Sequence, residues 1–355
     1  MSKPKVFIYN VVDEDGASHD QLGAAGIDLK VSPGIWGDSA NDTEVVNVEF
    51  EPGTVGAMGV ANRRFFVTRE ALAANPDFRI VAKYTVGVDN VDVDAATELG
   101  ILVTHSPTES NWGAVAEGTM AIMLTLLKRT REKDRHVKNG GWRDPSLVTT
   151  FLGRRMQDDY PGITVGIVGL GRIGRRVADL LAPWRVRLLA CDPYIDDSVF
   201  VHHGCEDVDL ETLLTESDVV TLHTNLTEET TNLIGAARFA LMKPEAVLIN
   251  AARGAIVDVD ALFDALDRDQ IAAAGLDVLP EEPPDPQLPL IGLGDKVLLS
   301  PHMIAYTKGG GLGPAIPWAT DAILKALRGE LPNHVFNEEV IPRWLERFGG
   351  KDLLD

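Results

Sequence analysis

Residues 165–194, VGIVGLGRIGRRVADLLAPWRVRLLACDPY, constrain the fold of this chain more than any other stretch. An apolar run passes through Gly169, Gly171 and Gly174, continues in a helical pattern, and gives way to a second apolar run ending at Asp192. Two strands joined by a helix pair in parallel, because only a long crossover can return the chain to the same edge of a sheet. Parallel strands are buried on both faces, so such a unit needs more units like itself. The sequence supplies them. VGIVG, VRLLAC, DVVTLH, AVLIN, AAAGLDV and VLLS predict six strands, the first five each followed by a helix or loop. Earlier in the chain KVFIYN, VVNVEF, FRIVAKY and ILVTHS predict strands, and NVDVDAATELG a helix stopped by Gly100.

Two long helical patterns, Ala114–Arg129 and Ala315–Arg328, bracket the six-strand block. The organisation that follows is one domain inserted in another. Residues 1–107 with 302–340 form an outer domain, and residues 108–301 form the insert. The expected fold is α/β: a Rossmann-type doubly wound parallel sheet inserted in a second, flavodoxin-like α/β substrate domain. EEPPDPQLPL reads as a loop, and the glycines of KGGGLGP (Lys308–Pro314) disfavour helix.

The glycine pattern has a physical reading in this setting. Gly169 permits the tight turn out of the strand, Gly171 lets backbone approach a pyrophosphate, and Gly174 lets the helix pack on the strand. The helix N-terminus then presents unpaired N–H groups and the positive end of its dipole to the phosphates. Asp192, 18 residues beyond Gly174, ends the next strand, where a carboxylate accepts ribose hydroxyls and repels a 2′-phosphate. The expected cofactor is therefore NAD rather than NADP.

Hydride transfer to a 2-keto acid needs a cation for the substrate carboxylate and carbonyl, a general acid, and a group that keeps the acid protonated. Candidates follow three successive predicted strands. Arg253 stands in NAARG, Asp277 and Glu282 in DVLPEEP, and His302 in SPH. Arginine offers a permanent planar fork to a carboxylate, histidine exchanges protons near neutrality, and a neighbouring carboxylate favours the imidazolium. Any one of these residues alone would read as loop surface. His223, which also ends a predicted strand, reads as structural.

Taken together, the Gly-rich stretch, NAARG, DVLPEEP and SPH resemble the D-isomer-specific 2-hydroxyacid dehydrogenase family over residues 45–335. The resemblance implies Arg253 as substrate clamp, His302 as proton donor and Glu282 as its partner. It implies that Arg172 and Ile173 touch the pyrophosphate. Thr224, Asn225 and Thr230 match the loop against adenosine and phosphates. Ala251, Ala252 and Asp277 match positions lining the nicotinamide, beside Arg253 and His302. In TVGVDNVD, Val86 and Gly87 match backbone N–H groups that hold the substrate carboxylate. A homodimer built through the apolar helix Met120–Leu127, expected to be buried, is also implied, with outer domains that close.

Three stretches depart from the family pattern: Ile304 and Tyr306 after the catalytic histidine, the glycines of Lys308–Pro314, and RDPSLVTTFLGRRMQDDYPG before the Gly-rich strand. The bulk of Ile304 and Tyr306 favours a small or apolar substrate side chain. Arg63 and Arg64, beside Asn62, where the phosphoglycerate branch places a substrate arginine, would favour a second anionic group. The expected substrate is a small 2-keto acid such as glyoxylate or hydroxypyruvate. A 3-phosphoglycerate-type enzyme is the alternative. An NADH-sensing corepressor on the same scaffold is an alternative of another class, since it keeps the same three residues. Glu282 argues against a formate dehydrogenase.

Composition adds exclusions. A formal net charge of -20 repels polyphosphate backbones and anionic membranes, so no nucleic-acid or membrane partner is expected. Cys191 and Cys205 are the two cysteines, with no metal-ligand spacing and no disulfide framework. No metal is expected. The N-terminal MSKPKVFIYNVVDED lacks the pattern of a signal peptide, and the expected location is the cytoplasm.

Overall fold

The computed structural model describes residues 3–32, 46–60, 65–308 and 311–354. The chain divides into two compact units, residues 1–111 with 308–355, and residues 112–307.

The first unit begins with β1 (Lys5–Ile8), α1 (Ala17–Ala24), β2 (Asp28–Val31), β3 (Val46–Asn47), β4 (Thr54–Gly59) and β5 (Phe65–Phe66). It continues through α2 (Arg69–Ala73), β6 (Ile80–Lys83), α3 (Val93–Leu99) and β7 (Leu102–Thr104). β1, β2, β4, β6 and β7 form a parallel sheet in the order β2-β1-β4-β6-β7. Counted along the chain, that is the flavodoxin-like order 2-1-3-4-5. VVNVEF contributes less than predicted, with only Val46–Asn47 pairing with Phe65–Phe66 in a separate two-stranded ladder. Every residue of β4, TVGAMG, is buried. Its glycines conceal it in the sequence, and sterics require one of them: a Cβ on Gly59 would lie 2.1 Å from the Tyr9 ring.

α4 (Glu109–Leu127) carries the chain into the second unit, followed by α5 (Thr130–Lys138). β8 (Thr164–Val168), α6 (Arg172–Leu181) and β9 (Arg187–Cys191) realise the βαβ unit read from residues 165–194. Next come α7 (Asp197–His202), β10 (Glu206–Asp207), α8 (Leu210–Glu216), β11 (Val219–Leu222), α9 (Ala236–Phe239) and β12 (Val247–Asn250). α10 (Val259–Asp267), β13 (Ala273–Leu276) and β14 (Val297–Leu299) complete the sheet. The seven strands are all parallel, in the order β10-β9-β8-β11-β12-β13-β14. Counted along the chain this is 3-2-1-4-5-6-7, the Rossmann order extended by one strand. The order reverses between β8 and β11, which puts the Gly-rich turn at the crevice where such sheets bind ligands. Two-residue β10 is the strand the sequence did not show, being too short for a periodic pattern.

The chain then returns through α11 (Ile316–Leu327) and α12 (Ile341–Phe348). The outer unit does not stop at residue 340. Trp344 of α12 is fully buried and donates from Nε1 to the Arg79 carbonyl at 3.0 Å. The Arg79 guanidinium donates to the carbonyls of Ala326, Leu327 and Lys351. A boundary at 302 is also too early: residues up to 307 stay with the second unit. The Asp277 carboxylate accepts from the N–H groups of Met303 and Ile304, and the Ile304 side chain packs where a Cβ on Gly118 of α4 would fall. α4 is less enclosed than its composition predicts. Met120, Ile122 and Met123 are buried, but Leu124, Leu126 and Leu127 are half-buried and Ala121 is exposed.

Candidate active site

The turn after β8 has the shape its glycines demand. Gly169 sits at φ +91°, a region that favours glycine, and a Cβ there would lie 2.9 Å from the His223 backbone. A Cβ on Gly174 would lie 2.2 Å from the Gly169 carbonyl oxygen, so only glycine lets α6 start this close to the turn. Gly171 faces open space, with nothing within 4 Å of a would-be Cβ. It is the N-cap of α6 and offers no side chain to the first-turn N–H groups. Arg172 and Ile173 are the first two residues of α6, the former exposed and the latter half-buried.

Asp192 is tied to this turn. One oxygen accepts from Leu170 N at 2.9 Å, the other from Tyr194 N at 3.1 Å. Arg175, which sequence reasoning did not single out, donates from Nε to the Leu170 carbonyl at 2.8 Å. A basic residue one turn inside the helix is too common a pattern to have signalled this.

After β11, burial pushes the His223 imidazole down to about 3, so it is neutral at physiological pH. Its Nε2 shares a hydrogen bond with Thr221 Oγ1 at 2.9 Å. His223 Nδ1 and Thr224 Oγ1 are buried with no hydrogen-bond partner among the described residues. Buried polar atoms are rarely left unpaired without reason, and Thr224 packs beside the Gly169 turn, its methyl Cγ2 3.0 Å from a would-be Cβ there. An open Gly171, an uncapped helix start and an orphaned hydroxyl fit a dinucleotide pyrophosphate. Thr230 is committed otherwise: its hydroxyl donates to the Asn225 carbonyl at 2.7 Å and accepts from Thr227 N at 2.8 Å. It shapes the loop on which exposed Asn225 stands.

β12, β13 and β14 lie side by side and in parallel, so Arg253, Glu282 and His302 leave the same edge of the sheet. Neighbouring strands are about 4.8 Å apart, which starts the three loops within roughly 10 Å. Ala251 and Ala252 are buried. Asn250 accepts from Ala252 N at 3.1 Å and donates to the Arg253 carbonyl at 2.9 Å, fixing the backbone from which the arginine projects. A Cβ on Gly254 would lie 2.0 Å from the Leu279 carbonyl carbon, so this loop touches the one after β13. Asn250 and Gly254 belong to NAARG and its preceding strand. Their roles are backbone roles that residue type alone does not reveal.

In the loop after β13, Leu279 N donates to Glu282 Oε1 at 3.0 Å. Glu282 Oε2 lies 2.9 Å from His302 Nδ1. The Glu282 side chain is 23% exposed and that of His302 50%. His302 has φ +56°, and its N–H donates to the Asp277 carbonyl at 2.8 Å. The Asp277 side chain, 2% exposed, holds the next two residues through Met303 N and Ile304 N. Burial raises its carboxyl above the ordinary range, against the opposing pull of these hydrogen bonds and of His302. Matched in sequence to a nicotinamide-lining position, Asp277 has its carboxylate turned to the histidine loop instead. Ile304 is turned to Gly118 and the apolar cluster around it. The expected crowding of a substrate side chain by Ile304 does not follow from this placement. Tyr306 is 43% exposed. Val86 and Gly87, in the other unit, lie in the loop after β6 and are half-buried. Asn62, Arg63 and Arg64 lie outside the described residues, as do two of the glycines of Lys308–Pro314.

Residues 120–304 match the family model described as D-isomer specific 2-hydroxyacid dehydrogenase, NAD binding domain. The chain belongs to the D-isomer specific 2-hydroxyacid dehydrogenase family. It is 35% identical over 342 residues to the glyoxylate reductase of Korarchaeum cryptofilum, covering 96% of this chain and 97% of that one. It is 38% identical over 257 residues to the D-3-phosphoglycerate dehydrogenase of Archaeoglobus fulgidus, 72% of this chain but only 47% of that relative. The D-lactate dehydrogenase of Aquifex aeolicus, solved with NAD and lactic acid, superposes with a TM-score of 0.74 at 29% identity, over 91% of this chain and 94% of that one. This member of the family is an NAD-dependent oxidoreductase acting on a 2-hydroxy or 2-keto acid. Among the described residues, no helix is long and apolar enough to cross a membrane.

Proposed function

We propose that this dehydrogenase reduces a small 2-keto acid, such as glyoxylate or hydroxypyruvate, to the D-2-hydroxy acid, with His302 as proton donor. The observation that carries this reading is the 2.9 Å contact between His302 Nδ1 and Glu282 Oε2. It commits Nδ1–H to the carboxylate and leaves Nε2 as the nitrogen that exchanges a proton with substrate. Glu282 is itself fixed by Leu279 N. It stabilises the imidazolium, the form that donates in reduction. Arg253 grips the substrate carboxylate and polarises the carbonyl. The N–H groups of Val86 and Gly87 receive the carboxylate as well. NADH, when bound, supplies the hydride. Gly169, Gly171, Gly174 and the N–H groups of Arg172 and Ile173 hold its pyrophosphate, with Thr224, Asn225 and Thr230 forming the loop beside it. Asp192 takes the adenosine ribose hydroxyls, and Ala251, Ala252 and the backbone of Asp277 line the nicotinamide. In the reverse direction neutral His302 accepts the hydroxyl proton at Nε2 as hydride leaves carbon.

The near end-to-end match to a glyoxylate reductase supports the small substrate. The test is reduction, at saturating NADH, of glyoxylate, hydroxypyruvate and phosphohydroxypyruvate. Higher kcat/KM for the unphosphorylated acids is expected. A strong preference for the phosphorylated acid would replace this reading with the phosphoglycerate type, and no turnover of any 2-keto acid would favour an NADH-sensing binding protein.

The half-buried Leu124, Leu126 and Leu127 support a homodimer through α4, working in the cytoplasm, where the free thiols of Cys191 and Cys205 stay reduced. Sedimentation at micromolar concentration should give twice the monomer mass. An active monomer would overturn the dimer.

A further inference from the structure

We propose that His105 and Thr85 are positioning residues that set the backbone N–H groups of the loop after β6 to receive the substrate carboxylate. This rests on the reading of Val86 and Gly87 given above.

Three successive carbonyls of the loop are held. Thr85 O accepts from Ser106 N at 2.9 Å. Val86 O accepts from His105 Nδ1 at 3.1 Å. Gly87 O accepts from Thr85 Oγ1 at 2.7 Å. In a trans peptide the carbonyl of one residue and the N–H of the next point in opposite directions. Anchoring these three oxygens therefore aims the N–H groups of Val86, Gly87 and Val88 away from the anchors. None of those three N–H groups meets a hydrogen-bond acceptor among the described residues. Successive oriented N–H groups of this kind make an anion-binding concavity.

The anchors are themselves fixed. β7 ends at Thr104, which bridges to Val335, and His105 N donates to the His334 carbonyl at 3.1 Å. The His105 ring meets Phe336 edge-on, with centroids 5.6 Å apart, and lies 6.4 Å from His334. His334 stacks on Trp318 at 4.5 Å with 5° between the planes. At the far end of the loop, buried Asn90 accepts from Lys83 Nζ at 2.8 Å and donates to the Val60 carbonyl at 3.1 Å. The backbone that faces the substrate is thus braced by side chains on its other side. His105 Nδ1 donates to Val86 O whether the ring is neutral or charged, so the brace is not a proton switch.

The experiment compares His105→Phe, His105→Gln and Thr85→Val with Gly87→Pro, which removes one of the N–H groups outright. His105→Phe keeps a ring against Phe336 and loses the donor; His105→Gln restores a donor. Thr85→Val keeps the shape and loses the hydroxyl, and it tests the same brace should His105→Phe fail to fold. The readouts are KM for the keto acid, kcat, the inhibition constant of oxamate, a carboxylate that is not reduced, and NADH affinity. Losing one neutral hydrogen bond should raise KM and the oxamate constant roughly three- to tenfold. kcat should stay within about twofold of wild type, NADH affinity should not move, and His105→Gln should recover part of the loss. Unchanged KM in both His105→Phe and Thr85→Val, with KM raised in Gly87→Pro, overturns the brace and leaves the carboxylate site standing. Unchanged KM in all variants, Gly87→Pro included, overturns the carboxylate site and the brace with it. A matched fall in kcat and NADH affinity in His105→Phe marks a merely structural residue and also overturns it.

Discussion

The C-terminal edges of the two parallel sheets are built alike and equipped differently. Beyond β12, β13 and β14 the seven-stranded sheet projects side chains whose types do chemistry: a guanidinium, a carboxylate and an imidazole. Beyond β6 the five-stranded sheet offers backbone, with side chains such as His105 and Thr85 turned to the loop's own carbonyls. Proton transfer needs a group that titrates, and the backbone has none. Holding a carboxylate needs only N–H groups in a fixed direction, and every residue except proline has one. A parallel sheet can serve either purpose at the same edge, and which purpose it serves decides how much of it the sequence displays.

That contrast can be broken in several ways. The largest effect belongs to His302→Ala. Its kcat should fall roughly 10²–10⁴-fold, the usual worth of a general acid, with NADH affinity nearly unchanged by titration of cofactor fluorescence. A fall under tenfold would mean that the edge of the seven-stranded sheet does not supply the proton. Glu282→Gln should act through His302, lowering kcat about ten- to a hundredfold for the loss of a charge-assisted hydrogen bond. A fall in kcat of less than twofold would remove Glu282 from its role. A more modest change is expected in Asp192→Ala: the preference for NADH over NADPH, measured as a ratio of kcat/KM, should narrow. Equal use of both cofactors by the wild type would refute the part given to Asp192. The smallest effect tests the other sheet. Gly100 ends α3 at φ +74°, and Gly100→Ala should lower stability by about 1–2 kcal/mol in chemical denaturation while leaving kcat alone. A loss of kcat there would show that the two edges do not divide their labour as described.

Legibility follows the same division. The cofactor sheet announced itself because VGIVG and AVLIN are compact apolar runs punctuated by glycine or polar residues, and because Arg253, Glu282 and His302 are residue types with few alternatives in that pattern. β4 was hidden because a strand pressed against Tyr9 needs glycine, which reads as turn. VVNVEF was over-read because apolar periodicity does not say whether a partner strand is present. The commitment of Asp277 to the N–H groups of residues 303 and 304 was hidden for another reason. Strand and loop are more than twenty residues apart, and the bond is to backbone, which has no signature. His105 and Thr85 were missed on the same ground.

Asp277 has one more consequence. Burial raises its folded-state affinity for a proton above that of the unfolded chain. By linkage, the stability this group contributes is fully present below its unfolded value, near pH 3.9, and is lost as pH rises through its elevated folded value. Ionisation of this carboxylate therefore works against folding even while the group pins the turn that carries His302. Asp277→Asn should raise the melting temperature at pH values above the elevated folded value and lose that advantage in acid, with turnover falling as the turn loosens. A histidine loop held by a group that weakens the fold is a toll on the protein's lifetime, levied where we propose the proton is exchanged.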